Sequence, residues 1–150
     1  MSQHECLFCR IATGHEPASK VYEDEHCLVF LDLFPIREGH VLVIPKQHGV
    51  LLEDLDSEVR AHLIQVCEKV MRAQKAADSG IKAHNLMLND GKAANQHIPH
   101  VHFHLIPRKG GDVLAVILGL VLRMKNIFGQ AARRRRLDEM ASLIARSMDD

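Results

Sequence analysis

The run His100-Val101-His102-Phe103-His104 sets three histidines at alternate positions. In an extended strand successive side chains point to opposite faces. The three imidazoles would therefore project from one side about 7 Å apart, while Val101, Phe103 and Leu105 face a core. Taken alone, such a row suits metal binding, catalysis or an incidental histidine surface. Chemistry narrows the choice. A neutral imidazole with one nitrogen held as an N–H donor to a carbonyl presents its other nitrogen as a nucleophile near neutral pH. A second imidazole one strand repeat away stabilises phosphoryl oxygens. Just before the run lies the polar stretch Asp90 to Gln96, whose backbone N–H groups, with the side chains of Asn89, Gln96 and His97, could hold a phosphate without a metal. That combination points to phosphoryl or nucleotidyl transfer.

Cys6 and Cys9 form a second chemical pair, at the Cys-x-x-Cys spacing that lets two thiolates bind one Zn²⁺ from a tight turn. Two further ligands are needed, and no pair of histidines follows some 12 residues later, so an independent zinc finger is a poor reading. A redox pair and two unliganded core thiols are the alternatives. Cys27 and Cys67 fall on apolar faces and read as small buried residues.

These groups need elements to position them. A short helix is expected before the break at Gly14-His15-Glu16-Pro17. Lys20 to Glu23 and Cys27 to Leu31 read as a hairpin around Asp24-Glu25-His26. The run His40 to Pro45 is apolar at successive positions, as in a strand covered on both faces. From Asp54 the period changes: Leu52, Leu55, Val59, Leu63, Val66 and Val70 recur at steps of three and four, predicting one long helix that ends near Gly80, with Asp54 or Asp56 as its cap. Asn85 to Asn89 is strand-like, and the histidine strand should run from His100 to Ile106 and stop at Pro107. Val113 to Leu122 reads as a core or interface segment. Gln130 to Met148 can form a helix with Leu137, Met140, Ile144 and Met148 on one side.

A chain of 150 residues is long enough for one core and short for two. With 4% aromatic residues and no Trp, that core is aliphatic, and base-stacking platforms for single-stranded nucleic acid are scarce. The net charge is zero but unevenly placed: residues 1–107 carry 10 Lys and Arg against 14 Asp and Glu, and residues 108–150 carry 9 against 5. Arg133 to Arg136 is read as a solvated face with no specific nucleic-acid partner. Met1 to Glu5 lacks the start of a signal peptide, and no apolar run reaches the ~18 residues needed to span a bilayer. A cytoplasmic protein without a membrane span is expected.

Several segments together resemble the histidine triad family of nucleotide hydrolases and transferases. They are Cys6 to Ile11, Val29 to Asp32, Gly39 to His48, Leu88 to Gly91, and Gln96 to His104, so the resemblance covers about residues 6–108. It implies an α+β fold: a five-stranded antiparallel sheet with one long helix and, here, a C-terminal helical extension. Residues 1–110 would form the histidine triad domain and residues 111–150 an extension packed on it or on a dimer interface. It also implies a homodimer. Carried over by position, the covalent nucleophile falls on His102 and the phosphate-binding histidine on His104. Asp32 falls where ribose hydroxyls are bound, and Asn89 where the nucleotide is contacted near its ribose and phosphate. Both residue types suit those partners, a carboxylate being acceptor-only and an amide able to donate.

In the zinc-containing, bacterial-type branch of the family the remaining metal ligands fall on His48 and His100. The resemblance thus implies a closed structural Zn²⁺ site of Cys6, Cys9, His48 and His100. The implied activity is hydrolysis or transfer at the α-phosphate of a purine nucleotide, preferably an adenosine nucleotide, through a nucleotidyl-His102 intermediate. Dinucleoside polyphosphate hydrolysis and phosphoramidate cleavage compete within that class, and a nucleotide-sensing module without turnover is the alternative. The family commonly has Gly before Gln96 and Ser or Thr after it. This chain has Asn95 and His97, and His97 either replaces the hydroxyl as a donor or points to solvent.

Overall fold

Unbroken apolar runs imply strands with no wet side, and β2 (Cys27–Leu31) and β3 (Val41–Pro45) are buried at every position. The computed structural model describes residues 6–123 and 130–148; Met1 to Glu5, read above for a leader, lie outside the described residues. The remaining elements are α1 (Leu7–Ala12), β1 (Lys20–Glu23), α2 (Ser57–Ala77), β4 (Ile81–Leu88), β5 (Phe103–Lys109), α3 (Val113–Arg123) and α4 (Gln130–Arg146). The strands form one five-stranded sheet in the order β1-β2-β3-β5-β4, every neighbouring pair antiparallel. This is the expected α+β architecture.

Alternation gives the sheet two different faces. On one, Val29, Leu31, Val43, Val101, Phe103 and Leu105 meet the α2 stripe of Leu63, Val66 and Val70, and α4 adds Leu137, Ala141 and Ile144. Full burial of one such aliphatic side chain is worth about 1.5–3 kcal/mol, so this face supplies most of the hydrophobic stabilisation. On the other, Leu28, Phe30, Leu42 and Ile44 pack against Cys6, Phe8, Cys9 and Ile11 of the N-terminal turn and α1.

Four expectations change. Sheet pairing in β5 begins only at Phe103, opposite Val43 and Leu88. His100 lies in a bend, its N–H bonded to Ile98 O at 2.8 Å, and Val101 and His102 lead into the strand, held by the Val101 N–H bond to Gly49 O at 2.8 Å. The burial of His100, His102 and His104 keeps to the expected row. Pro107 does not end the strand: it pairs with His84 of β4, while the last β3 pair is Val41 with Leu105, so the ring has no β3 partner to deprive of a donor. β4 starts at Ile81, four residues before the sequence reading, because an exposed edge strand has no alternation to reveal it. Finally, α3 is not core. Val113, Leu114, Ile117 and Leu118 are all more than half exposed. Its backbone approaches the body closely at Gly119, where a Cβ would collide with the Ile36 carbonyl.

Among the described residues no helix is long and apolar enough to cross a membrane. The arginine run at the start of α4 is partly engaged rather than freely solvated: Arg133 stacks over Phe34 at 5.4 Å, and Arg136 pairs with Glu38 at 2.7 Å.

Candidate active site and metal centre

His100, His102 and His104 are all buried on the α1 face, and each has one nitrogen fixed by a partner. His102 Nδ1 lies 2.7 Å from the His100 carbonyl, which can only accept. Nδ1 therefore carries the proton and Nε2 presents its lone pair. The Phe8 ring stands edge-on to this imidazole at 5.1 Å and limits its rotation.

The tautomer of His104 is set two residues away. The Ile36 N–H donates to His40 Nδ1 at 3.2 Å, which leaves the proton of neutral His40 on Nε2. His40 Nε2 lies 3.0 Å from His104 Nδ1 and donates to it. The His104 proton is thereby placed on Nε2, as a donor. His102 and His104 stand 4.9 Å apart, centroid to centroid. A nucleophilic lone pair and an N–H donor side by side form the pair that attack on a phosphate requires.

His40 is a candidate site residue that sequence reasoning missed. It is fully buried, and its signal was present: it is the one polar residue opening an otherwise apolar strand run. Asp32 follows β2 and closes the same chain of contacts. Its Oδ1 accepts from the Phe34 N–H at 2.9 Å, and its Oδ2 lies 3.6 Å from His40 Nδ1. Asp32 is thus both the turn-forming residue and part of the histidine cluster.

Asn89 is half-buried and follows Leu88, which pairs with Phe103, so it stands beside His102 at the end of β4. Gln96 acts as a brace. Its Oε1 accepts from the Gly91 N–H at 2.8 Å and its Nε2 donates to Val50 O at 2.7 Å, so the side chain fixes the loop that the sequence reading had it lend to a phosphate. His97 is exposed. Asn95 adopts φ 62°, a left-handed conformation that Gly takes freely and Asn tolerates better than most residues, so the Gly-to-Asn departure keeps the loop's backbone path.

Cys6, Cys9, His48 and His100 come together from the N-terminal turn, the segment after β3 and the lead-in to β5. Cys9 Sγ lies 3.2 Å from His48 Nδ1, both thiols lie 3.5 Å from His100 Nδ1, and the two Nδ1 atoms are 3.3 Å apart. A zinc tetrahedron with bonds of about 2.0–2.3 Å has ligand-to-ligand edges of roughly 3.3–3.8 Å, close to these four distances, so the donor set suits such an ion. His100 Nε2 donates to Pro45 O at 2.9 Å, which leaves Nδ1 as the lone-pair nitrogen a metal takes. Burial, with His48 and His102 nearby, lowers the His100 pKa to about 4, so the ring is neutral. Burial and the neighbouring Cys6 push the Cys9 thiol up to about 11, the signature of two thiols that would share a cation better than they share a dry pocket.

With that geometry described, likeness to other proteins becomes informative. The HIT domain profile matches residues 13–111. An adenylylsulfatase of Arabidopsis thaliana is 43% identical over 114 residues, 75% of this chain and 56% of that protein. An adenosine 5'-monophosphoramidase of Saccharomyces cerevisiae is 38% identical over 104 residues, 69% and 63% of the respective chains. Among solved structures, a zinc-bound histidine triad family protein from Mycobacterium smegmatis superposes with a TM-score of 0.80 at 34% identity, covering 99% of this chain and 96% of its own. With its profile match and its row of tautomer-fixed histidines, this chain belongs to the HIT domain family.

Proposed function

We propose that the protein is a nucleotide hydrolase or nucleotidyl transferase acting at the α-phosphate of adenosine nucleotides through a nucleotidyl-His102 intermediate. The observation that carries this reading is the pairing of His102, whose Nδ1 bond to His100 O sets Nε2 as the unprotonated nitrogen, with the His104 donor set by His40. His102 Nε2 attacks the α-phosphorus, a P–N bond forms, and the bond to the leaving group breaks as that group takes a proton. Water then attacks the same phosphorus, the P–N bond breaks, and nucleoside monophosphate leaves with His102 restored. His104 Nε2–H donates to the non-bridging oxygens, whose charge grows in each transition state. Asp32 accepts from the ribose hydroxyls and Asn89 contacts the ribose–phosphate junction. His97, on the exposed rim, would meet only the leaving group.

Phosphoramidates are the favoured substrates. The similar proteins named phosphoramidase and adenylylsulfatase both release a small group from an adenylyl moiety, whereas neither name implies a second nucleoside. Zn²⁺ held by Cys6, Cys9, His48 and His100 would be structural, since four protein ligands leave no position for water. It would tie the N-terminal turn to the segment carrying His102. We further propose a homodimer. Edge strand β4 exposes Leu86 and Met87, an unpaired edge of the kind that a second sheet extends.

The decisive experiment is single-turnover rapid quench into alkali with radiolabelled adenosine phosphoramidate, since a phosphoramidate bond survives base and hydrolyses in acid. Label mapped to the His102 peptide is the expected result. Nucleotide binding without turnover of phosphoramidates, adenylyl sulfate or diadenosine polyphosphates would instead favour a sensing module. Metal analysis should find one zinc per subunit, and the mass in solution should be that of a dimer.

A further inference from the structure

The sheet carries a second cluster of metal-binding side chains, remote from the histidine row. Asp24 in the β1–β2 turn, Cys27 at the start of β2 and His62 on α2 bring a carboxylate oxygen, a thiol sulfur and an imidazole nitrogen within 4.8 Å of one another. Cys27 points to the α2 face, whereas Cys6 and Cys9 pack on the opposite one, so the cluster is separated from the first by the thickness of the sheet.

We propose that Asp24, Cys27 and His62 form a second site for a late first-row divalent cation, with Zn²⁺ as the fitting ion. The donor types select it: a thiolate with an imidazole suits zinc or its neighbours, whereas Mg²⁺ and Ca²⁺ take oxygen ligands. The carboxylate is oriented as a metal ligand's would be. Its Oδ1 accepts from the His26 and Cys27 amides, both at 2.8 Å, while Oδ2 is turned to His62 Nε2 at 2.7 Å with the Tyr22 hydroxyl at 3.0 Å. One oxygen thus holds the turn, and the other, held by the Tyr22 hydroxyl, meets His62 Nε2 across the gap that an ion displacing the imidazole proton would occupy. Burial alone would raise the Asp24 pKa, yet these donors hold it well below the usual carboxylate range, so the ligand is ionised. The Cys27 thiol beside it is pushed up by burial and by Asp24, a repulsion that an intervening cation would reverse.

Three protein ligands leave one coordination position, and the surroundings of His62 suit a cation. His62 lines a cavity of about 680 Å³ together with His26, Gln47, Glu25, Asp56 and Glu58. This acidic, histidine-bearing wall favours a cation, and Gln47, one of the lining residues, has an Oε1 that is buried with no hydrogen-bond partner among the described residues. The His26 and His62 rings stand 5.3 Å apart at 70°, nearly the arrangement of His48 and His100 in the first cluster, 5.3 Å and 68°. Closing the three donors onto an ion needs movements on the order of 1 Å, with His62 and Asp24 opening to roughly 3.3 Å. The bound ion would staple the β1–β2 turn to the middle of α2.

The test uses the full chain as purified, its metal content measured first, and adds Zn²⁺ or Co²⁺ by titration. One further equivalent should bind. The Co²⁺ form should show a near-ultraviolet thiolate-to-metal band that disappears in Cys27→Ser, and His62→Ala, on a partly exposed helix position, should weaken binding by at least about tenfold. Added Zn²⁺ should also raise the melting temperature of the wild type but not of His62→Ala. No further equivalent below about 100 μM would overturn the site, as would binding equal in the wild type and both variants. Cys27→Ser and His62→Ala leave Cys6 and Cys9 in place, so the difference between the wild type and these variants reports this site alone, and none of the readouts uses turnover.

Discussion

Between His102 and Phe103 the chain crosses from one face of the sheet to the other, and the two side chains enter different kinds of interior. Phe103 joins Val43, Leu63, Val101 and Leu105 in an aliphatic layer under α2. His102 joins a layer in which His40, His100 and His104 are equally buried, and each has a nitrogen within 3.0 Å of a hydrogen-bonding partner. An unsatisfied buried polar group costs about 1–3 kcal/mol, so the histidine layer is tolerable only because its nitrogens are matched in sequence, Ile36 to His40 to His104 and His102 to His100. The same matching fixes each tautomer. On this face the requirement of stability and the requirement of chemistry are met by the same bonds, whereas the α2 face answers only to packing.

The comparison predicts that substitutions on the two faces fail in different ways. The largest effect belongs to His102→Ala, which should lower turnover by at least ~10³ while nucleotide affinity is largely kept, because the lost interaction is made only in the transition state. Near wild-type turnover would break the assignment. Leu63→Ala, on the other face, should cost about 3 kcal/mol by denaturant titration, since the side chain is fully buried in a well-packed layer. Its turnover per folded molecule should stay near that of the wild type. If Leu63→Ala altered kcat as strongly as stability, the two faces would not be separable.

His40→Phe tests the link inside the histidine layer. Without the bond from His40 Nε2, His104 loses the donor that sets its proton outward, and kcat should fall about 10²-fold, the cost of losing one oriented donor. KM should change little, because His40 is fully buried behind His104 and acts through it. A rise in KM at constant kcat would mean that it only shapes the pocket.

Legibility in the sequence follows the same division. The α2 face was readable because aliphatic alternation and the three-and-four spacing of Leu63, Val66 and Val70 are local signals. The histidine row was readable as a row. What joins it to His40 and Asp32 was not, since the contact spans 64 residues and depends on β3 pairing with β5. β4 was half legible: Asn85 to Leu88 shows strand character, but Ile81 to His84 lies on an exposed edge where no pattern is enforced. The apolar run at Val113 suggested a core or interface segment; composition reports hydrophobicity and not coverage, and within the chain α3 leaves Val113, Leu114, Ile117 and Leu118 exposed, which answers the core half of that reading only. The bracing role of Gln96 was not legible for a related reason: an amide in a loop looks available until the carbonyl it braces, Val50, is brought beside it.

The smallest predicted effect sharpens the comparison with one misplaced residue. His84 pairs with Pro107 and shares the side of the sheet on which Leu88 and Leu105 meet α2, so it is a histidine on the aliphatic face. Its Nε2 is buried with no hydrogen-bond partner among the described residues, unlike the matched nitrogens of the other layer. Burial, and then the charge of Lys75 on α2, lower its pKa below 6.5. The folded state therefore resists a proton that the unfolded chain accepts. Stability contributed by the neutral ring is complete above about pH 6.5 and declines as the pH falls below that value, since the unfolded state then binds more protons. His84→Met removes the titration and supplies an unbranched apolar side chain, so the melting temperature at pH 7 should hold or rise slightly. The fall in melting temperature between pH 7 and pH 5 should become shallower than in the wild type, without vanishing, because His100 is also held neutral, with a pKa of about 4. An unchanged slope in His84→Met would show that this imidazole is hydrated, and that the α2 face tolerates an unmatched histidine only because it is wet at that edge.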